Sequence, residues 1–309
     1  MRIVFMGTPE FAVPSLRILL DNGYEVPAVV TTPDKPRGRG QNVSSGAVKE
    51  FAQSRNLSVF QPENLRDSGF LKSLTDLKSD LFVVVAFRIL PKEVFTIPPR
   101  GTFNLHASLL PKFRGAAPIQ WAIIRGATET GVTTFFLKEK VDTGSILLQA
   151  RVKIGLDETA GELHDKLAEV GAEIVLQTVR LIELGKIQPR PQDDALASLA
   201  PKISKEDCRI DWSKSAGDVH NLVRGLSPSP CAWTTHRGTM LRIYRTAVEK
   251  QETELSSSGK VVRVDKESLV VGTGMGLISI LELQQEGKKR LSVGEFLRGY
   301  HFNPGETLG

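Results

Sequence analysis

The chain has 309 residues, 40% of them hydrophobic and 24% charged, with a formal net charge of +5. This length exceeds a typical single core, so we expect two domains. No apolar run approaches the roughly 20 residues of a membrane span, and the N-terminus lacks a signal-peptide pattern, so we expect a cytoplasmic protein. Cys208 and Cys231 lack metal-ligand spacing, and no two histidines stand four residues apart. We therefore predict no metal site.

Strand-like and helix-like segments alternate over the first 140 residues. The predicted strands are Arg2–Met6, Val26–Thr31, Leu57–Phe60, Asp80–Ala86 and Gly101–Ala107. The predicted helices lie near Glu10–Asp21, Ser44–Arg55 and Glu63–Leu77. This alternation predicts an α/β fold with a doubly wound, mainly parallel sheet, whose ligands bind beyond the carboxyl ends of the strands. A hairpin of Gly131–Lys138 and Ser145–Lys153 is expected to follow.

The second half of the chain has a different pattern. Thr159 and Glu162 form a capping box at the start of a long amphipathic helix. Prolines and aspartates then mark residues 186–205 as an extended linker. Short strands with glycine and serine turns follow, and they predict a small β-barrel over residues 206–309. The predicted boundaries are therefore 1–185, 186–205 and 206–309.

The most informative residues are Asn104 and His106, which stand two apart in a predicted strand. Alternate residues of a strand point to one face, so an amide donor and an imidazole leave the sheet side by side. An amide can stabilise an oxyanion, and an imidazole can move a proton near neutral pH. Asp142, in the hairpin loop, would supply a carboxylate. Together they favour acyl transfer without a metal or a covalent nucleophile.

Residues 34–41 form a basic loop rich in glycine and proline. Such a loop is either simply solvated or a phosphate-contacting arm. Because charge is nearly balanced along the chain, any nucleic-acid footprint must be a local patch of this kind.

These motifs together resemble the methionyl-tRNA formyltransferase family over nearly the full length. The matching stretches are Phe5–Pro14, Thr32–Gly40, Phe60–Leu65, Asn104–Ile119, Gly131–Thr134, Val141–Ile146, Lys205–Ser213 and Pro230–Thr234. The resemblance implies a Rossmann-like formyltransferase domain that binds 10-formyltetrahydrofolate, followed by an OB-like barrel that binds initiator tRNA. It also implies that Asn104, His106 and Asp142 are the catalytic residues, with no metal, in a monomer.

The resemblance further implies two sets of binding residues. The expected folate contacts are Ser108, Leu109, Leu110, Pro111, Phe87, Arg88, Ile89 and Leu90. The expected tRNA contacts are Lys35, Arg37 and Arg39. Two departures from the family stand out: the segment Ala86–Pro91 lacks the usual Tyr-Gly pair, and Cys231 replaces a common glycine.

Three alternatives stay open from the sequence. One is a formyltransferase for another amine, such as an amino sugar or glycinamide ribonucleotide. Another is a formyltetrahydrofolate hydrolase, which uses water in place of the amine. The third, from a different class, is a non-catalytic RNA-binding protein that retains an enzyme scaffold.

Overall fold

The computed structural model describes residues 1–37, 42–249 and 258–309. They group into two compact units. The first is Met1–Gly115, Thr130–Val152 and His164–Ala200, and the second is Ala116–Glu129, Lys153–Leu163 and Pro201–Gly309. The domain boundaries inferred from the sequence stay a prediction. Across the described ranges, no helix combines the length and the apolar character needed to cross a membrane.

Strands and helices alternate along the first half of the chain, as predicted. The strands are β1 (Arg2–Gly7), β2 (Glu25–Val30), β3 (Lys35–Arg37), β4 (Asn42–Ser44), β5 (Val59–Phe60), β6 (Leu81–Val85), β7 (Thr102–His106), β8 (Glu129–Phe136) and β9 (Ile146–Lys153). The helices over residues 1–183 are α1 (Val13–Asp21), α2 (Ala47–Ser54), α3 (Ser68–Asp76), α4 (Lys92–Phe95), α5 (Pro118–Ile124) and α6 (Ala160–Glu183). The short helices α4 and α5 were not predicted.

One sheet of the first unit has the strand order β5-β2-β1-β6-β7-β8-β9. The pairs from β5 to β7 are parallel, whereas β8 runs antiparallel to β7. All five residues of β6 are buried, because apolar side chains cover both faces of this central strand. The Rossmann-like parallel sheet is confirmed. Val85 pairs with Leu105, so β6 and β7 end side by side.

The basic segment that follows β2, predicted as a loop, contains a short strand, β3. β3 and β4 pair antiparallel, with Lys35 opposite Ser44 and Arg37 opposite Asn42. Arg39 lies outside the described residues.

Residues 186–200, within the segment predicted as an extended linker, are held by hydrogen bonds of their backbone. The main chains of Arg190 and Ile146 exchange two hydrogen bonds, of 2.7 and 2.8 Å. Ala200 N–H donates to Arg114 O at 2.7 Å, and Arg114 N–H donates to Ser198 O at 2.8 Å. The segment is extended, but its backbone is paired within the first unit.

The second unit contains an antiparallel sheet with the strand order β10-β11-β14-β13-β12, and β15 pairs with β14. These strands are β10 (Ala232–His236), β11 (Thr239–Val248), β12 (Val261–Val264), β13 (Leu269–Gly272), β14 (Leu277–Gln285) and β15 (Leu291–Ser292). The helices α7 (Ala216–Leu226) and α8 (Val293–Leu297) contribute Val219, Val223 and Phe296 to its apolar core. Helix α8, only five residues long, was not predicted.

Residues 305–309 join the two outer strands of this sheet. Leu308 N–H donates to Gly259 O at 2.7 Å beside β12, and Gly309 N–H donates to Thr235 O of β10 at 3.0 Å. Glu306 anchors the same segment, since its carboxylate accepts from Arg237 and lies 3.1 Å from His236 Nε2. The C-terminal segment thereby closes the sheet, in keeping with the predicted barrel.

We predict that Glu306→Gln makes the stability of the second unit less dependent on pH. The contact with Arg237, followed by the Asn303 N–H, lowers the pKa of Glu306 from 4.5 to about 2. The native contacts therefore stabilise the protein fully above pH 4.5, and that stabilisation is lost as the pH falls towards 2. Between pH 6 and 3, the melting temperature of the variant should change less steeply with pH than that of the unaltered chain. The difference between the two slopes should correspond to the titration of roughly one group. Glu286→Gln, at an exposed carboxylate, is the control; equal slopes for all three proteins would contradict the prediction.

Candidate active site

Strand β7 carries Asn104 and His106 on one face of the sheet. Asn104 lies between Val84 of β6 and Phe135 of β8. The Asn104 side chain is partly buried, and its amide makes no hydrogen bond to any residue that the structure describes. The amide is therefore available to a ligand, whereas His106 is only 6% exposed.

The contacts of His106 determine which edge of its ring is reactive. Nε2 lies 2.8 Å from Phe113 O. Because a carbonyl oxygen only accepts, Nε2 must carry a proton. In the neutral ring the lone pair is then on Nδ1. His106 therefore presents Nδ1, not Nε2, as the nitrogen that can take up a proton.

Asp142 faces that Nδ1 edge from another part of the chain. Its Oδ2 lies 3.8 Å from His106 Nδ1, which is too far for a direct hydrogen bond but within ion-pair distance of a protonated ring. The same oxygen accepts from the Gly115 N–H at 2.9 Å. The three predicted catalytic side chains thus lie in one region. Asp142 lies beside the Nδ1 edge of His106, and Asn104 lies two residues before His106 on the same face of β7.

Two glycines allow the segments around Asp142 to approach so closely. Gly115 has a φ of +123°, and a Cβ added there would lie 2.6 Å from Ala200 O. A Cβ on Gly144 would lie 1.6 Å from Phe136 O of β8. Neither position has space for a side chain, so each glycine is required by the path of the backbone.

The segment after β7 is held by a buried threonine. Thr133 Oγ1 donates to Ser108 O at 2.6 Å and accepts from Leu110 N–H at 3.1 Å. The Ser108 hydroxyl is fully buried and donates to Lys112 O at 2.6 Å. Leu110 is buried in a cluster with Phe135 and Ile146.

The side chains of Ser108 and Leu110 therefore support the loop rather than face a ligand. Leu109 and Pro111 are partly exposed, and the Leu110–Pro111 peptide is cis. Folate contact by these four residues stays a prediction, and for Ser108 and Leu110 it requires main-chain atoms.

The other predicted folate-binding residues follow β6. Arg88 donates to Pro62 O at 2.7 Å and to Glu63 O at 3.0 Å, and burial lowers the pKa of its guanidinium. Its two terminal nitrogens are thus directed at protein carbonyls. Leu90 is buried in the core, Phe87 is partly buried and Ile89 is 73% exposed. Of these four side chains, Ile89 is the most exposed, Phe87 and Arg88 are partly exposed, and contact with folate stays a prediction for all four.

The predicted tRNA contacts are only partly described. Lys35 and Arg37 belong to β3, and for them the structure describes the backbone alone. Arg39 lies outside the described residues. Within residues 1–37, 42–249 and 258–309, no group of three or more His, Cys, Asp or Glu side chains is arranged to hold a metal ion.

Sequence reasoning missed a polar network beneath the Asp142 loop. Arg114 donates to Gln192 Oε1 through Nε at 3.1 Å and Nη2 at 2.7 Å, and Nη2 also reaches Asp194 Oδ1 at 2.7 Å. This contact lowers the pKa of Asp194. Gln192 in turn donates to Asp142 O and to Gly144 O. Contacts from a side chain to the main chain leave no periodic signal in a sequence, so no pattern would have identified Gln192.

Comparison with known proteins identifies the family of the chain. A family model described as formyl transferase matches residues 1–179, and one described as formyl transferase, C-terminal domain, matches residues 202–301. The methionyl-tRNA formyltransferase of Acetivibrio thermocellus is 48% identical over 310 residues, covering 100% of both chains. That of Porphyromonas gingivalis strain W83 is 49% identical over 309 residues, covering 97% of this chain and 96% of the relative.

Solved structures share the fold. HypX from Aquifex aeolicus, in complex with tetrahydrofolic acid, aligns with a TM-score of 0.66 at 21% identity, over 99% of this chain and 50% of HypX. WlaRD, a sugar 3N-formyl transferase, aligns with a TM-score of 0.67 at 19% identity, over 94% of this chain and 99% of WlaRD. At these identities the likeness concerns the fold alone. The full-length identity to curated relatives is decisive: the chain belongs to the methionyl-tRNA formyltransferase family.

Proposed function

We propose that this chain transfers the formyl group of 10-formyltetrahydrofolate to the α-amino group of methionyl initiator tRNA. The observation that carries the chemistry is the 3.8 Å separation of Asp142 Oδ2 and His106 Nδ1, two residues along β7 from Asn104, whose amide makes no hydrogen bond to a described residue. The family to which the chain belongs supplies the identity of the substrates. The proposed enzyme acts as a monomer in the cytoplasm and needs no metal.

The reaction begins when the neutral α-amine attacks the formyl carbon of the donor. A C–N bond forms, and the carbonyl oxygen becomes an oxyanion. The Asn104 amide is placed to donate to that oxyanion, and one such donor contributes ~10²–10³ in rate. The attacking nitrogen must then lose a proton, which the Nδ1 edge of His106 or the Asp142 carboxylate can accept.

Collapse of the tetrahedral intermediate completes the transfer. The bond between the formyl carbon and the folate nitrogen breaks, and that nitrogen gains a proton. The amine thus loses one proton and the folate nitrogen gains one, so the reaction consumes no net proton. His106 is suited to both steps, because the Phe113 carbonyl holds its Nε2–H while Nδ1 is free to exchange a proton.

The folate donor fits the loops at the carboxyl ends of β6 and β7. These loops adjoin, because Val85 pairs with Leu105, and open-sheet proteins bind ligands at such ends. Phe87 and Ile89 offer apolar surface there. The tetrahydrofolic acid complex of HypX, a protein of the same fold, supports a folate ligand.

The direct test is formyl transfer from 10-formyltetrahydrofolate to methionyl initiator tRNA. We expect transfer to the charged initiator tRNA, little to methionyl elongator tRNA, and none to uncharged initiator tRNA. A sugar nucleotide with a free amine tests the first alternative acceptor. Folate release without any acceptor tests hydrolysis. Formylation of the sugar alone, or release that ignores the tRNA, would overturn the proposal.

We also predict that Arg39→Ala weakens tRNA binding. Loss of a phosphate contact should raise KM for methionyl-tRNA and reduce the slope of log affinity against log salt by about one. KM for the folate donor should not change. Lys72→Ala, which removes an exposed positive charge from α3, is the matched control. An unchanged KM for tRNA would remove Arg39 from the proposed interface.

A further inference from the structure

Gln192 links the loop of Asp142 to Arg114, and both polar atoms of its side chain make hydrogen bonds. Its Nε2 donates to Asp142 O and to Gly144 O, each at 2.8 Å. Its Oε1 accepts two hydrogen bonds from Arg114. Because Arg114 only donates, Oε1 must face the guanidinium and Nε2 must face the two carbonyls. The amide is therefore held in one orientation and brackets residues 142–144.

The bracketed loop has a backbone that depends on outside support. Asp142 has a φ of +54°, in the left-handed region that residues with a side chain rarely adopt. Such a conformation persists when surrounding contacts impose it. Among the residues that the structure describes, the carboxylate accepts one hydrogen bond, from the Gly115 N–H. Its distance to His106 Nδ1 thus depends on where the main chain of Asp142 is held.

We propose that Gln192 is a positioning residue for formyl transfer, one that fixes the main chain of Asp142 so that its carboxylate stays at the Nδ1 edge of His106. This inference rests on the proposed function. Asp194 completes the arrangement, because its Oδ1 accepts at 2.7 Å from the same Arg114 Nη2 that donates to Gln192. Gln192 acts through Asp142 rather than by contact with substrate.

Two substitutions separate this role from simple packing. Gln192→Met keeps the length of the side chain and removes all four hydrogen bonds. Gln192→Glu keeps the oxygen that faces Arg114, so it should fold, but it places a carboxylate oxygen against two carbonyls. We expect each to lower kcat by ~10–10²-fold, since small displacements of catalytic groups have effects of this size. KM for both substrates should stay within about twofold. Gln188→Met, at an exposed glutamine four residues earlier, is the matched control and should not change kcat.

The decisive measurement repeats Gln192→Met in an Asp142→Ala background. If Gln192 acts through the carboxylate, the second substitution should add no further loss of kcat. A packing role would lower kcat equally in both backgrounds and would overturn the inference, as would unchanged kcat in both single variants. Unaltered enzyme that formylates methionyl initiator tRNA, and Asp142→Ala that does so at a much lower but measurable rate, would uphold the proposed function whatever Gln192 does. Absence of activity in the unaltered enzyme would overturn both proposals.

Discussion

Replacing His106 or Asn104 with alanine is expected to lower kcat for formyl transfer by at least ~10²-fold each. Without Asn104, the oxyanion loses a hydrogen-bond donor. That amide makes no hydrogen bond to any other described group. Without His106, the attacking amine loses Nδ1 as a proton acceptor. Asp142 also loses the imidazole that lies 3.8 Å from its Oδ2. Initial rates with varied folate and tRNA give kcat and KM separately.

The pattern of those constants is as informative as their size. KM for the folate donor should stay close to that of the unaltered enzyme, because in the proposed mechanism Asn104 acts on the oxyanion and His106 on the transferred proton, and neither acts on the pterin. His301→Ala, at an exposed histidine outside the site, should leave kcat unchanged. Formylation at the unaltered rate by the His106 variant would exclude the imidazole from the chemistry.

Gly144→Ala should impair both stability and catalysis. An added Cβ would lie 1.6 Å from Phe136 O, an overlap that only a shift of the backbone can relieve. Overpacking of this kind destabilises a fold by ~1–3 kcal/mol. The shift also moves the loop that carries Asp142, so kcat should fall by ~10²-fold even where the protein remains folded. Denaturant unfolding and steady-state kinetics measure the two effects.

A matched substitution shows whether the crowding is responsible. Gly299 has open space around the position of an added Cβ, with nothing within 4 Å. Gly299→Ala should therefore leave kcat within about twofold and stability within about 0.5 kcal/mol of the unaltered protein. If the two alanine variants behave alike, the close approach at Gly144 has no bearing on the site.

The parallel sheet was predictable because its signals are periodic or continuous. The apolar run of β6 and the alternation of strands with helices depend only on burial, which local sequence records. Helices α4 and α8 have four and five residues, too few to show a helical period. The capping box of α6 was predicted and is present. The Thr159 N–H donates to Glu162 Oε2, and the Glu162 N–H donates to Thr159 Oγ1.

The proximity of Asn104, His106 and Asp142 could be predicted from the sequence, but their hydrogen-bond partners could not. The spacing of Asn104 and His106 placed them on one face, and the hairpin loop supplied Asp142. The contact of His106 Nε2 with Phe113 O depends on a backbone carbonyl, which every residue has. The direction of Arg88 towards Pro62 and Glu63 depends likewise on main-chain oxygens. Side-chain identity carries no information about such partners.

The role of residues 305–309 bears on how the chain is made. They donate hydrogen bonds to Gly259 O, beside β12, and to Thr235 O of β10, and so link the two outer strands of the antiparallel sheet. During synthesis, these residues leave the ribosome after every strand that they connect. The first unit can therefore acquire its structure while translation continues, whereas the second must wait for this segment before its ring of strands is complete.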